Sequence, residues 1–232
     1  MDAERSKGGR AALSKLGKPI SEAVVRRLPV YLQVLNDLHI RDVQTVSSQE
    51  LGRKLELNPA QIRKDLAYFG EFGRKGVGYD VNYLIEKIRG ILKLDQPMLV
   101  GLAGAGNLGH ALCNYSSYVK DNMKITAVFD ASPAKIGKRI NSLEVLPIDQ
   151  LQDKVREDGI QIGIITVPAG EAQNVADRFI EAGVKGILNF APVVLKAPDH
   201  VRIHYADFTT QLLSLAYYMN KDGTVDDEQM VD

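Results

Sequence analysis

One cysteine, Cys113, stands in 232 residues. No internal disulfide can form, which fits a reducing compartment such as the cytoplasm. No apolar run approaches the roughly 18 residues of a membrane span. The opening stretch MDAERSKGGRAALSKLGK is charged and lacks the apolar core of a secretory signal. No repeat of fixed period is present, and there is no Walker lysine, no GxSxG elbow and no paired-carboxylate motif. His39, His110, His200 and His204 show no metal-ligand spacing; His200 and His204 could share a strand face, but without carboxylate or thiolate company. Net charge is absent as well, with 29 Lys/Arg against 29 Asp/Glu. That balance hides an asymmetry. Residues 1–80 carry 14 Lys/Arg against 10 Asp/Glu, and residues 81–232 carry 15 against 19, a mildly basic front half and an acidic rear half.

What is present centres on Met98 to Asp130. An apolar run, Met98 to Ala103, leads into Gly104-Ala105-Gly106-Asn107-Leu108-Gly109, a helical pattern follows, and a second apolar run from Ile125 to Phe129 stops at Asp130. This is a dinucleotide-binding fingerprint in its required strand, glycine turn, helix, strand context. Gly104 allows the tight turn, Gly106 lets backbone approach a pyrophosphate, and Gly109 lets the helix pack close. The helix start favours the phosphate charge. Asp130 is placed to accept bonds from an adenosine ribose and to repel a 2′-phosphate, and Ala131-Ser132-Pro133 supplies no adjacent arginine. The ligand expected is NAD(H) rather than NADP(H).

The front half reads as a DNA-binding module. Residues 1–18 are expected to be a flexible tail. From Ile20, Val24, Leu28, Tyr31, Leu32 and Leu35 recur at helical spacing with Ser21 placed to cap, and Pro29 predicts a kink or a late start. Ser47 or Ser48 caps a short helix ending at Leu55. A three-residue connector follows, and Asn58 caps a helix opened by Pro59 and running to about Phe69. On that helix Ile62, Leu66 and Phe69 form an apolar stripe, while Ala60, Gln61, Arg63, Lys64, Ala67 and Tyr68 lie opposite. Small residues among cations suit a DNA major groove, so the pair reads as a helix-turn-helix. Gly70 to Tyr79 is a glycine-rich hairpin with Arg74 and Lys75 at its tip, a wing for the adjacent minor groove. The candidate DNA-contacting set is Ser47, Ser48, Asn58, Ala60, Gln61, Arg63, Lys64, Tyr68, Arg74 and Lys75. Val81 to Leu94 is a further helix, and Asp95-Gln96-Pro97 ends it.

In the rear half, Ser132 to Pro147 reads as irregular and Ile148 to Arg156 as a helix. Ile160 to Val167, Val184 to Phe190 and His200 to Tyr205 read as strands, with a helix from Ala169 to Ala182 between the first two. That order predicts a parallel sheet with ligand at its C-terminal edge, where Thr166-Val167-Pro168 and Asn189-Phe190-Ala191-Pro192 join the glycine turn and Asp130. The last helix, Asp207 to Asn220, is apolar over much of its surface. It packs either on its own domain or against a partner subunit. The expected fold class is therefore α/β. A winged helix-turn-helix domain (19–85) and a linker helix (86–97) precede a Rossmann-like NAD(H)-binding domain (98–206), a dimerisation helix (207–220) and an acidic tail (221–232).

A dehydrogenase would need a proton donor or acceptor beside the nicotinamide and a substrate domain; here the Rossmann-like unit takes up everything from residue 98 on, and what precedes it reads as a DNA module. Binding without turnover is the preferred reading. A small NAD-dependent oxidoreductase with an incidental basic front half is the alternative, and a nucleotide-binding structural subunit is a third.

The blocks Gln61 to Gly70 (QIRKDLAYFG), Gly76 to Tyr79 (GVGY), Gly104 to Gly109 and Ile187 to Pro192 (ILNFAP), in this order, resemble the redox-sensing transcriptional repressor Rex family over nearly the whole chain. The resemblance implies a cytoplasmic homodimer that binds a palindromic double-stranded operator with NAD+ present or the site empty, and releases it on NADH. It also implies a C-terminal helix exchanged between subunits, and places Tyr115, Asp207 and Phe208 by the nicotinamide. One departure concerns the first helix. Some relatives carry an arginine beside Tyr-Leu that pairs with the aspartate matched by Asp207; here Tyr31-Leu32 is followed by Gln33, which carries no charge, and Arg26 and Arg27 are the nearby cations.

Overall fold

The computed structural model describes residues 20–68, 73–74, 78–115, 123–206 and 208–222. The chain falls into two units, Met1–Gln96 and Pro97–Asp232. The expected tail 1–18, Phe69, the hairpin residues 70–72 and 75–77 with Lys75, Asp207 and the tail from 223 onward lie outside the described residues.

In the first unit, α1 (Glu22–Ile40) is followed by β1 (Thr45–Val46), α2 (Ser48–Leu55) and α3 (Pro59–Ala67), then β2 (Gly73–Arg74), β3 (Gly78–Asp80) and α4 (Val81–Ile91). Helix α1 starts at Glu22 and runs through Pro29, so the expectation of a late start does not hold. A proline inside a helix costs about 3 kcal/mol. Here Leu28, Tyr31, Leu32 and Leu35 are buried in the unit's core, and that packing offsets it. Pro29 and Val25 both lie on the exposed side, so the carbonyl the proline cannot serve is on the solvent face rather than in the core. Ser21 occupies the cap position without a side-chain bond.

The next two helices are capped from the sequence. The Glu50 N–H donates to Ser47 Oγ at 3.0 Å, and the Ala60 N–H donates to Asn58 Oδ1 at 2.8 Å. Glu56, left-handed at φ 55°, ends α2. The wing hairpin β2–β3 is joined by β1 in an antiparallel sheet of order β1-β3-β2. Strand β1, two residues long, is too short for any periodic signal. Gly78 takes φ +97°, and a Cβ there would stand 2.7 Å from the Val46 carbonyl oxygen, so only glycine lets β3 close on β1. Helix α4 runs straight through the domain boundary expected after residue 85. Val81, Leu84 and Ile88 are buried together in the first unit's core, so the helix belongs there.

The second unit holds β4 (Met98–Ala103), α5 (Asn107–Tyr115), β5 (Met123–Asp130), β6 (Arg139–Ile140), β7 (Leu143–Pro147), α6 (Leu151–Asp158), β8 (Ile162–Ile165), α7 (Ala169–Glu181), β9 (Gly186–Asn189), β10 (Arg202–Tyr205) and α8 (Phe208–Asp222). The sheet order is β10-β9-β8-β4-β5-β7-β6, parallel throughout except where β6 runs against β7. The stretch expected to be irregular, Ser132 to Pro147, contains two strands. Glu144 and Pro147 interrupt its apolar pattern, and β7 is held by pairing Val128 with Val145 on β5. The chain passes from β4 to β5 on one side and later returns with β8 on the other side of β4. The crevice of such a sheet opens where this order reverses, at the C-terminal end of β4. Phe129, Leu151 and Phe179 anchor the core beneath it.

Candidate functional site

Four backbone and side-chain features build the crevice. Gly104 follows β4 at φ +108°, with its N–H on the Phe129 carbonyl at 2.8 Å, and a Cβ there would stand 2.6 Å from the Thr166 carbonyl oxygen. Thr166 closes the other wall, its hydroxyl donating to the carbonyls of Ala103 (3.0 Å) and Gly104 (2.8 Å). A Cβ on Gly109 would collide with the Gly104 carbonyl oxygen, so this glycine brings α5 against the turn. Nothing lies within 4 Å of a Cβ built on Gly106, which leaves its backbone open to a ligand.

The resulting cavity is about 450 Å³. It brings together Gly104, Gly106, Asp130, Thr166, Val167 and Pro168, six of the residues expected from sequence. It adds Lys135, Ile148, Glu171, Asn174 and Arg178, none of them a site residue expected from sequence. Glu171, Asn174 and Arg178 recur at i, i+3 and i+7 on α7, so the polar margin of that helix carried a signal. Arg178 is tied to Asp149 Oδ1 at 2.9 Å, to Asn174 Oδ1 at 3.2 Å and to the Ile148 carbonyl at 3.4 Å.

Asp130 ends β5 and is buried. Its Oδ1 accepts the Ser132 N–H at 2.8 Å; its Oδ2 accepts the Ala105 N–H at 2.8 Å and the Lys135 ammonium at 3.0 Å. Burial alone would raise its pKa. The Ser132 N–H, Lys135 and the Ala105 N–H outweigh burial and hold the carboxyl below the ordinary carboxylate range. Two features here go beyond the sequence pattern. A cation does accompany Asp130, a lysine five residues on rather than an adjacent arginine. The Ala105 N–H is committed to Asp130, so Ala105 acts by holding the carboxylate and not by offering a donor to phosphate.

The other predicted residues among those described do not line this cavity. Asn107 and Leu108 are exposed at the start of α5, and Tyr115 is exposed at its end. Asn189 is buried, with its amide donating to the carbonyls of Ala191 and Val193 and its Oδ1 accepting the Ala191 N–H at 2.9 Å. It shapes the rim through Phe190 to Pro192 rather than presenting a polar group. Phe190 and Phe208 meet there, with ring centroids 6.4 Å apart. Cys113 is buried on α5, and burial pushes its thiol up to about 11, which suppresses nucleophilic chemistry.

The second surface lies on the first unit. Ala60, Arg63, Lys64 and Ala67 are exposed along one side of α3. Arg63 donates to Ser48 Oγ at 3.1 Å, linking the middle of α3 to the start of α2. Burial pushes the Tyr79 hydroxyl up in pKa, an effect that nearby Arg63 opposes. Gln61 and Tyr68 depart from the expected outer face. The Gln61 amide donates to Asp65 Oδ1 at 2.6 Å, and Tyr68 packs on the core. Asp65, unassigned in the sequence reading, is fully buried on α3 and meets Arg27 and Tyr31 of α1. Arg27 is therefore committed to Asp65, and Arg26 pairs with Glu22. The Arg26 pair is solvent-exposed and holds that side chain only weakly. Arg74 lies on β2 of the wing.

A winged helix-turn-helix and a parallel sheet with a glycine-turn crevice, in one chain, define a class: DNA-binding regulators that carry a nucleotide-binding domain. The comparisons with known proteins narrow that class. The family models “Putative DNA-binding protein N-terminus” and “CoA binding domain” match residues 19–67 and 95–193. The redox-sensing transcriptional repressor Rex of Brevibacillus brevis is 57% identical over 200 residues, covering 86% of this chain and 97% of its own. That of Carboxydothermus hydrogenoformans is 48% identical over 206 residues, covering 89% and 99%. Among solved structures, the Rex-family repressor RSP in complex with β-NAD+ and operator DNA matches with TM-score 0.82 at 38% identity, covering 89% of this chain and 95% of that one. RSP in complex with β-NADH matches with TM-score 0.80 at 37% identity, covering 89% and 97%. The chain belongs to the Rex family of redox-sensing transcriptional repressors.

Proposed function

We propose that this protein is a homodimeric cytoplasmic repressor that holds a palindromic operator and releases it when NADH occupies the glycine-turn cavity, so that the NADH/NAD+ ratio controls transcription. The observation that carries this reading is the coexistence in one chain of an exposed cationic α3 face and a crevice with a buried carboxylate at the ribose position. The relative RSP, solved with β-NAD+ and operator DNA and separately with β-NADH, supports it.

On this reading Gly104, Gly106, Asn107, Leu108 and Gly109 cradle the pyrophosphate, Ala105 holds Asp130 for the adenosine ribose, and Thr166, Val167 and Pro168 form the wall. Asn189, Phe190 and Pro192 form the rim toward the nicotinamide, with Tyr115, Asp207 and Phe208. Ser47, Ser48, Asn58, Ala60, Arg63, Lys64, Arg74 and Lys75 form the DNA surface, and Gln61 and Tyr68 support it from behind, one on Asp65 and the other on the core. The protein acts by binding and turns nothing over. A ligand shifts an equilibrium only through differential affinity. Moving this one from mostly bound to mostly released needs about 10⁴ in that ratio, about 5.5 kcal/mol, which two sites per dimer share. NADH favours an arrangement in which the two recognition helices of the dimer no longer match half-sites about one or two DNA turns apart.

The test is fluorescence anisotropy of a labelled palindromic duplex, with NADH and NAD+ titrated separately. NADH is expected to lower the anisotropy and NAD+ to leave it high. Unchanged binding at saturating NADH rejects the reading.

A further inference from the structure

Two cations line the cavity among the described residues, and they are held differently. Arg178 is fixed by Asp149, Asn174 and the Ile148 carbonyl. Lys135 has a half-exposed side chain and a single acceptor among the described residues, Asp130 Oδ2 at 3.0 Å. From this difference we propose that Lys135 sets how strictly the adenosine end of the cavity rejects a phosphorylated ribose, and so how well the protein tells NADH from NADPH. The inference rests on the reading of this cavity as the NAD(H) site.

Lone-pair geometry supplies the argument. Each carboxylate oxygen offers about two acceptor positions. Asp130 Oδ2 has both filled, by the Ala105 N–H and by Lys135, while among the described residues Oδ1 accepts the Ser132 N–H alone and keeps one. A ribose 2′,3′-diol that bonds both oxygens must displace the ammonium from Oδ2. The two backbone donors are fixed by the chain, so Lys135 is the partner that yields. Its stem stays anchored beside Asp130, which leaves the displaced ammonium within reach of the same ribose edge. A bare 2′-hydroxyl, whose proton goes to the carboxylate, can accept one bond from the ammonium through its oxygen but brings no charge for it to offset. A 2′-phosphate meets both charges at once, and the ammonium offsets part of the repulsion from Asp130. The carboxylate selects the diol, and the lysine softens that selection.

The experiment uses the full-length chain and follows reduced-ring fluorescence on titration with NADH and with NADPH. Native protein is expected to bind NADPH measurably, about ten- to a hundredfold more weakly than NADH. Lys135→Gln is expected to widen that ratio by about another tenfold, the scale of one charge-assisted bond. Lys135→Arg, which keeps the charge, is expected to hold the native ratio. An unchanged ratio in Lys135→Gln, a widened one in Lys135→Arg, or no NADPH binding by native protein at millimolar concentration overturns the role of Lys135. Failure of native protein to bind NADH is a different result and overturns the assignment of the cavity itself.

Discussion

Arg27 grips Asp65 with two parallel bonds, Nε to Oδ2 at 2.6 Å and Nη2 to Oδ1 at 2.9 Å, across 38 residues of sequence. Tyr31 adds its hydroxyl to Oδ2 at 2.6 Å, and Gln61 adds its amide to Oδ1. Four donor groups from two helices thus converge on one buried carboxylate and fix α3 against α1, which sets the direction in which Arg63 and Lys64 face solvent. Removing the carboxylate leaves a guanidinium and a phenol without their acceptor. Breaking a buried pair from one side costs about 3–5 kcal/mol. Asp65→Ala is expected to lose stability of that order in urea denaturation and to weaken DNA binding, while NADH affinity in the other unit holds. A loss below about 0.5 kcal/mol would mean the pair is incidental.

The same carboxylate gives a pH dependence with a definite sign. Burial raises the Asp65 pKa, but the bonds from Arg27, Tyr31 and Gln61 outweigh burial and leave it lowered. A folded pKa below the unfolded one contributes stability that is complete above the ordinary carboxylate value of about 4 and is lost as pH falls through the lower, folded value. Acid titration followed by circular dichroism is expected to show this loss in the native protein. The profile of Asp65→Asn should lack that component below about pH 4.

Lys64 is exposed on α3, and the structure gives it no role in the core. If it neutralises a phosphate, Lys64→Ala weakens operator and non-operator DNA alike and reduces the slope of log affinity against log salt by about one. Anisotropy at several salt concentrations reads both quantities. A variant that loses preference for the operator but keeps the native salt slope would assign Lys64 to base contact instead.

The sequence revealed the glycine turn, the helix caps and the apolar stripes because each is a local pattern, written within a few residues. Ser47, Asn58, Gly104 and Gly109 announce their roles by type and spacing. Asp65 shows the opposite case. On the wheel of α3 it sits beside the Ile62 and Leu66 stripe, and its partners Arg27 and Tyr31 are more than 30 residues earlier, where Tyr31 reads as an ordinary apolar position. Lys135 was hidden for a similar reason, since the loop that folds it back to Asp130 has no period. Strand β7 escaped because it draws its order from pairing with β5, and pairing leaves no mark on a five-residue segment holding Glu144 and Pro147.

Gly109→Ala separates the two halves of the proposed mechanism. The added Cβ meets the Gly104 carbonyl oxygen, which lies in the backbone and cannot swing aside. Either α5 lifts from β4 or the turn distorts, and both spoil the phosphate cradle. NADH affinity is expected to fall at least a hundredfold, a cost of about 2.7 kcal/mol. Operator binding resides in the other unit and should persist. The variant is then a repressor blind to NADH, read by anisotropy as DNA binding that saturating NADH no longer reverses.

Helix α8 poses the remaining physical question, since Phe208, Leu212, Leu215 and Met219 recur at i, i+4, i+7 and i+11 and each is more than half exposed. A contiguous apolar stripe of this kind left in water is unusual for a monomer, and burial against a second copy recovers about 25 cal/mol for each Å² covered. Leu212 and Leu215 sit mid-stripe, so a charge at either puts an unpaired carboxylate into the buried face. Leu212→Glu and Leu215→Glu are expected to sediment as monomers at concentrations where the native chain is dimeric, with circular dichroism unchanged because neither side chain packs in the chain's own core. Operator binding should collapse with the dimer, since one recognition helix then holds one half-site alone, while NADH still binds the glycine turn. A native chain that sediments as a monomer would detach α8 from assembly and require another explanation for its exposed stripe.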